Sequence, residues 1–287
     1  NPGHLLRRHH FWAYLYYDNM VTWTQRVAEY HQAHPQRVGR YFSVGCLWSE
    51  HVRLTKEGRI KSDLPERISQ AGYSSGQKLV AVFDSSYSDL GLSTYQTGVE
   101  FAMAIERLLN DFPEVFFIWK EKKSRNTLET MVNQGVNYDG EGLSALTRIY
   151  DRLARHPRCY FVGSTASSAQ VIALSDLVIS YPFTSSTIEA LAARKKVIFL
   201  LPNDSFSGAY FEAVPDLVSR NYSELRRLTE KMLYNIAGDE YERFLESRIK
   251  GQVEDYLDGR ALTRFRATLR GEESPVGGAV TDDVLSC

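Results

Sequence analysis

Short apolar runs alternate with amphipathic segments from residue 78 onward. Most of the runs are apolar at successive positions rather than at every second one, which is typical of strands buried on both faces. They predict strands at residues 79–83, 115–119, 159–162, 177–180 and 196–201. Between the runs, apolar residues recur every three or four positions, as in Phe101, Ile105 and Leu108. This spacing predicts helices at residues 98–110, 143–154, 166–175, 184–193, 222–236, 240–248 and 260–269.

Strands that alternate with helices in this way predict a doubly wound α/β domain, a parallel sheet with helices on both faces, over residues 78–270. Ligands bind such sheets in the crevice at the carboxyl ends of the strands. The loops that follow the strands are therefore where site residues are expected.

The two ends of the chain differ from this pattern. Residues 1–77 are rich in aromatic side chains, and suggest only a helix at 21–31 and a strand at 41–47. We interpret them as the tail of a preceding, N-terminal domain and a linker. Residues 271–287 contain few large apolar side chains and are expected to be a disordered tail. The chain begins with Asn1 rather than Met, which favours an internal start and a fragment that could be inactive alone.

Composition narrows the classes of partner. The net charge is -1 and 43% of residues are hydrophobic, so a core can form and no basic face for nucleic acid is expected. No apolar run approaches the about 20 residues that span a bilayer.

Three cysteines without a paired spacing favour a reducing compartment and hence a cytoplasmic location. His31 and His34 lie three apart without a third ligand nearby, so no metal site is expected.

A hydroxyl-rich turn follows the fourth predicted strand. Thr184, Ser185 and Ser186 stand where the next helix begins, and the free N–H groups of a helix start attract phosphate. Ser186 and Glu189 also have the spacing of a capping box, which needs no ligand. Glu189 could instead accept hydrogen bonds from ribose hydroxyls. Both interpretations of this turn remain open from the residues alone.

Charged side chains follow the other strands. Lys120, Lys122 and Arg125 come after the second strand, where cations would neutralise a leaving phosphate. Asp84 ends the first strand and could be a base, a nucleophile, a hydrogen-bond acceptor or simply a turn residue. Ser164, after the third strand, is a weaker candidate for substrate binding.

The segment from Tyr181 to Ser186 resembles the motif of the polysaccharide biosynthesis proteins that are named for Pro-Phe-Thr-Ser. Its surroundings are similar to the C-terminal, donor-binding domain of GT-B glycosyltransferases, which include capsule Kdo transferases, bacterial sialyltransferases and CDP-glycerol glycerophosphotransferases. In those families a Ser/Thr-rich turn binds the nucleotide phosphate, and here Thr184, Ser185 and Ser186 occupy its place. The loop from Lys120 resembles their Lys-Pro-His-Pro loop in position. It contains neither His nor Pro, which argues against a CMP-sugar donor.

The resemblance implies a metal-independent glycosyltransferase that needs no cofactor. It would take a nucleotide-sugar donor and a glycan or lipid-linked acceptor in bacterial surface polysaccharide synthesis. Work on such acceptors would place it in the cytoplasm, at the inner face of the membrane. Two alternatives remain open: a CDP-glycerol-type glycerophosphotransferase on the same fold, and a non-catalytic module that binds nucleotide sugars.

Overall fold

The computed structural model describes residues 15–87, 93–122, 140–181, 184–202 and 210–272. In chain order its elements are β1 (Tyr16–Thr22), α1 (Gln25–Gln32), β2 (Arg37–Ser43), α2 (Ser49–Lys56), α3 (Leu64–Gln70), β3 (Lys78–Phe83), α4 (Tyr95–Asp111), β4 (Val115–Lys120), α5 (Gly140–Ala154), β5 (Cys159–Val162), α6 (Ser168–Leu174), β6 (Leu177–Ser180), α7 (Ser185–Ala192), β7 (Lys196–Leu200), β8 (Val218–Ser219), α8 (Tyr222–Glu230), α9 (Gly238–Phe244) and α10 (Ala261–Leu269). A 3-10 turn lies at Tyr210–Ala213, and π-helical turns at Lys231–Asn235 and Leu245–Ile249 continue α8 and α9.

Six strands form one sheet in the order β5-β4-β3-β6-β7-β8, and every neighbouring pair is parallel. This confirms the predicted doubly wound α/β fold. Within this sheet the chain runs from the central strand β3 outward to β4 and β5. It then crosses back to β6, which lies on the other side of β3. Loops leave β3 and β6 in opposite directions, so a crevice opens between the carboxyl ends of these two strands.

Helices cover the sheet in two groups. The helices α4 and α5 pack on each other, whereas α2, α6 and α7 form a second set of contacts. Crossovers between parallel strands are right-handed as a rule, and with this strand order they put the two groups on opposite faces of the sheet. The strands between them are buried almost completely, and Trp119, Phe116 and Phe117 of β4 have no exposed surface. Burial on both faces explains why these strands are apolar at successive positions.

The predicted strands of this sheet match the observed ones to within one residue at each end. The prediction missed β8, because two residues form no recognisable run. It also missed β1, whose sequence YYDNMVT is exposed along its first four residues and contains Asp18 and Asn19. The predicted helix at 21–31 begins only at Gln25, since residues 21 and 22 belong to β1 and Thr24 caps the helix through its hydroxyl. The predicted strand at 41–47 is β2, which begins at Arg37 and ends at Ser43.

The strands β1 and β2 are parallel and form a separate two-stranded sheet, with α1 as their connection. Hydrogen bonds from the C-terminal part of the chain fix the unit formed by β1, α1 and β2. One carboxylate oxygen of Asp255 accepts hydrogen bonds from the Gln25 amide and the Ser43 hydroxyl, both at 2.6 Å. The Arg264 guanidinium donates to the Val44 carbonyl at 2.9 Å.

The division of the chain near residue 77 stays a prediction. Of the tail predicted to be disordered, only residues 271 and 272 lie within the described part. No helix among the described residues has the length and apolar character needed to cross a membrane.

Candidate functional site

A cavity of about 160 Å³ opens at the carboxyl edge of the sheet. Residues from two strand ends line it, together with the starts of two helices: Phe83, Asp84, Lys120, Glu121, Lys122, Ser168, Thr184, Ser185 and Ser186. It lies where the strand order reverses, between β3 and β6. The structure therefore brings most of the predicted site residues to one place, because all of them follow parallel strands.

Thr184 is the N-cap residue of α7, with extended backbone angles, but its side chain makes no capping hydrogen bond. The residue is 7% exposed. Its hydroxyl has no hydrogen-bond partner among the residues that the structure describes. A buried hydroxyl without a partner costs about 1–3 kcal/mol, so its position on the cavity wall calls for a ligand or solvent. Pro182 and Phe183 of the predicted motif lie outside the described residues.

The capping box that the spacing of Ser186 and Glu189 allowed is not formed. The helix begins two residues before the position that this box would require, and Ser186 is already inside it. Glu189 instead accepts a hydrogen bond from the Ser185 hydroxyl at 3.0 Å. Burial raises the pKa of the Glu189 carboxyl, while this hydrogen bond lowers it. Glu189 thus lies one helical turn behind the cavity wall.

Lys120, the last residue of β4, is buried. Its ammonium donates to the Ser164 carbonyl at 2.8 Å and to the Glu121 carbonyl at 3.0 Å. An ammonium has three hydrogens, so these two bonds leave one for the cavity. Burial lowers the pKa of Lys120, and the neighbouring carboxylates of Asp84 and Glu121 raise it. Ser164 therefore contacts Lys120 through its backbone carbonyl. The sequence had suggested Ser164 as a residue that binds the substrate itself.

Asp84 has partners on both carboxylate oxygens. Oδ1 accepts from the Lys122 amide at 2.8 Å. Oδ2 accepts from the Tyr150 hydroxyl at 2.9 Å and from the Trp119 indole at 3.3 Å. Burial raises the pKa of Asp84 to about 6, against the effect of these three donors.

Several residues at the cavity were not predicted from the sequence. Glu121 is buried on the cavity wall, and Ser168 begins α6 there. Tyr150 reaches Asp84 from α5, a contact between residues far apart in the chain that no local pattern reveals. Arg125 was predicted to join the site but lies outside the described residues. Within the described part of the chain, no group of three or more His, Cys, Asp or Glu side chains could hold a metal ion.

The strand order and the crevice define a doubly wound α/β protein with an open crevice at the carboxyl edge of its sheet. Its fold is that of GT-B enzymes, as solved structures show. The S. aureus MnaA–UDP co-structure superposes with a TM-score of 0.55 at 12% identity, over 91% of this chain and 64% of that one. The wall teichoic acid polymerase TagF gives 0.55 at 11% identity, over 89% of this chain and 58% of that one.

A UDP-forming trehalose-phosphate synthase from Burkholderia vietnamiensis gives a TM-score of 0.51 at 15% identity, over 88% of this chain and 62% of that one. This chain thus spans less than two thirds of the length of these structures. Its sequence belongs to the polysaccharide biosynthesis PFTS motif family, whose model matches residues 4–229. No curated protein matches it.

Proposed function

We propose that this protein binds the diphosphate of a nucleotide sugar in the cavity between β3 and β6 and transfers the sugar to a glycan or lipid-linked acceptor. The observation that carries the proposal is Thr184. It presents a buried hydroxyl without a described partner to the cavity, directly before the free N–H groups of α7. Phosphate oxygens would accept hydrogen bonds from all of these donors.

The size of the cavity supports a phosphate-sized occupant. Pockets that enclose a whole small-molecule ligand measure roughly 300–1,000 Å³, whereas this cavity measures about 160 Å³. It suits one part of a ligand that continues into the crevice. The third N–H of Lys120, which has no acceptor among the described residues, and the exposed side chain of Lys122 supply positive charge beside it.

In the proposed reaction, the bond between the sugar and the distal phosphate breaks, and the acceptor oxygen forms the new bond to the sugar while its hydroxyl proton passes to the leaving phosphate or to solvent. Lys120 and the N-terminus of α7 would stabilise the charge on the leaving phosphate, which replaces the need for a metal ion. Glu189 would accept hydrogen bonds from the ribose hydroxyls. The acceptor would approach from the side of β1 and β2. A cytoplasmic location at the inner face of the membrane belongs to the same proposal.

A CDP-glycerol-type glycerophosphotransferase is the second candidate, favoured by the fold shared with the teichoic acid polymerase TagF. It would use the same phosphate site but break a bond within the diphosphate. Incubation of the protein with UDP-sugars or CDP-glycerol and analysis of the products separates the two, because the first releases a nucleoside diphosphate and the second releases CMP. A non-catalytic module would bind donors and release neither.

Calorimetric titration with UDP, CDP, CMP and UDP-sugars tests the proposed binding step. We expect at least one diphosphate to bind, and Lys120→Met to weaken it by on the order of 1–3 kcal/mol, the value of a charge-assisted hydrogen bond. Arg226→Met serves as the control because its guanidinium pairs with Asp111 on the surface of the protein. The proposal fails if no nucleotide binds, or if both variants bind like the wild type.

A further inference from the structure

Beyond this assignment, we infer that Asp84 is a positioning residue that fixes the start of the loop after β4 through the Lys122 amide. The inference rests on the proposed function, since it concerns how that site is held in a binding geometry. It differs from a catalytic role because Asp84 would act on the ligand only through the backbone of the loop.

The hydrogen bonds of Asp84 support a positioning role. Its Oδ1 accepts a hydrogen bond from the Lys122 backbone amide at 2.8 Å. The preceding amide, that of Glu121, still bonds to the Val162 carbonyl of β5. Its Oδ2 is fixed by the Tyr150 hydroxyl and the Trp119 indole. A carboxylate with these partners on both oxygens is poorly placed to take a proton from an acceptor hydroxyl. It is well placed to hold the backbone between Lys120 and Lys122.

The aromatic groups behind Asp84 make this anchor rigid. The Trp119 ring stacks on Phe161 with centroids 5.5 Å apart and meets Tyr150 edge-on at 5.2 Å. The rings of both donors to Oδ2 are therefore fixed by packing, and their hydrogen bonds fix the position of the Asp84 carboxylate. The orientation of the Lys122 amide thus depends on the core under the cavity.

The charge state of Asp84 should control the anchor. A carboxylate accepts a stronger hydrogen bond than a neutral carboxyl. Since the pKa of Asp84 is raised to about 6, the anchor should be strongest well above that pH and weaken as pH falls through it. Among the described residues, the titratable groups that face Asp84 are Lys120 and Glu121 from β4 and its loop, Tyr150 from α5, and Tyr87 from the loop after β3. The Tyr150 hydrogen bond lowers the pKa of Asp84, so its loss should move the transition to higher pH.

Amide hydrogen exchange of the ligand-free protein tests the anchor directly. We expect Asp84→Asn to accelerate exchange at Lys122 by roughly tenfold or more at pH 7.5, because its neutral oxygen is a weaker acceptor for that amide and its NH2 group cannot accept from the Trp119 indole. Tyr150→Phe removes only one donor to Oδ2 and should have a smaller effect. Tyr241→Phe is the matched control, since it also loses a buried tyrosine hydrogen bond, to the Lys195 carbonyl, far from the cavity. Unchanged exchange at Lys122 in Asp84→Asn overturns the inference.

The pH dependence of UDP-glucose affinity tests the consequence for the site. UDP-glucose is the probe because its diphosphate does not titrate between pH 5 and pH 8, unlike that of UDP. We expect wild-type affinity to fall below pH 6 and Tyr150→Phe to shift that fall upward. Asp84→Asn should flatten it, with affinity at pH 7.5 weaker by roughly fivefold to twentyfold.

Two results would contradict this consequence. Equal affinity in Asp84→Asn would mean that the anchor does not matter for binding, and tighter binding would mean that Asp84 chiefly repels the phosphates. A wild-type protein that binds neither UDP-glucose nor another nucleotide contradicts the proposed function instead. The exchange measurement still decides the anchor in that case.

Discussion

At the scale of single residues, Thr184 separates binding from stability. Replacement by Val keeps the shape of the side chain and removes a buried hydroxyl that has no partner among the described residues. We expect Thr184→Val to weaken nucleotide binding by about 1 kcal/mol or more, while thermal denaturation shows that the free protein is as stable as the wild type or more so. Lower stability together with unchanged affinity would show that the hydroxyl serves the fold.

Ser186 gives the companion test, because a capping role and the observed helix start predict different results. If Ser186 capped the helix, Ser186→Ala would lower stability by about 1 kcal/mol. The cap position belongs to Thr184, so we expect Ser186→Ala to leave the free energy of unfolding within about 0.5 kcal/mol of wild type. A clear loss in denaturant titration would restore the capping box.

Glu254 should make the stability of the whole protein depend on pH. The residue has no exposed surface, and burial raises the pKa of its carboxyl to about 8 from the usual 4.5. Between these two values the folded state binds more protons than the unfolded state, so stability falls as pH rises through this window. Glu254→Gln removes the charged form.

We therefore expect Glu254→Gln to match the wild type at pH 5. At pH 9 it should exceed the wild type by on the order of 2–4 kcal/mol in urea denaturation. An exposed control on α9, Glu240→Gln, should keep the wild-type pH dependence. If the Glu254 variant keeps it as well, the carboxyl is not buried as the structure shows.

At the scale of elements, Arg158 joins the end of α4 to the start of β4. Its guanidinium donates to the carbonyls of Phe112 and Val115, both at 2.8 Å, and to that of Leu109. The last carbonyls of a helix have no partner within it, so this side chain satisfies groups that would otherwise be left open. We expect Arg158→Ala to cost about 2 kcal/mol of stability.

The control for that prediction is Arg152→Ala on α5. Arg152 pairs with Glu106 at 2.7 Å, but the Arg side chain is 54% exposed, and such surface pairs contribute about 0–1 kcal/mol. Denaturant titration of the two variants should therefore rank Arg158→Ala well below Arg152→Ala. Equal losses would mean that the Arg158 bonds add nothing beyond an ordinary surface contact.

The longer strands of the main sheet could be predicted because burial on both faces requires apolar residues at successive positions, and such runs are visible in the sequence. The same logic located the cavity, since Lys120 ends a strand, Asp84 and Thr184 come after strands, and parallel strands end at one edge. The helix start could not be predicted in detail. Thr184, Ser185 and Ser186 are all favourable N-caps, so local chemistry does not choose among them. Contacts such as Tyr150 with Asp84 depend on packing and leave no mark in local sequence.

At the scale of the whole molecule, the end of the chain stabilises its beginning. Asp255 bonds to both α1 and β2, so we expect Asp255→Ala to accelerate amide exchange in β1, α1 and β2 while the six-stranded sheet stays protected. Asp239→Ala, which breaks a surface pair with Arg243, is the control. Equal exchange in all three proteins would show that other contacts hold the N-terminal unit.

The central claim is that the cavity between β3 and β6 holds the phosphates of a nucleotide sugar. A crystal structure of the protein with the nucleotide that binds most tightly in calorimetry tests it most directly. Our account predicts a phosphate within hydrogen-bond distance of the Thr184 hydroxyl, the Lys120 ammonium and the first amides of α7. A nucleotide bound elsewhere, with Thr184 and Lys120 contacting no part of it, would contradict the account.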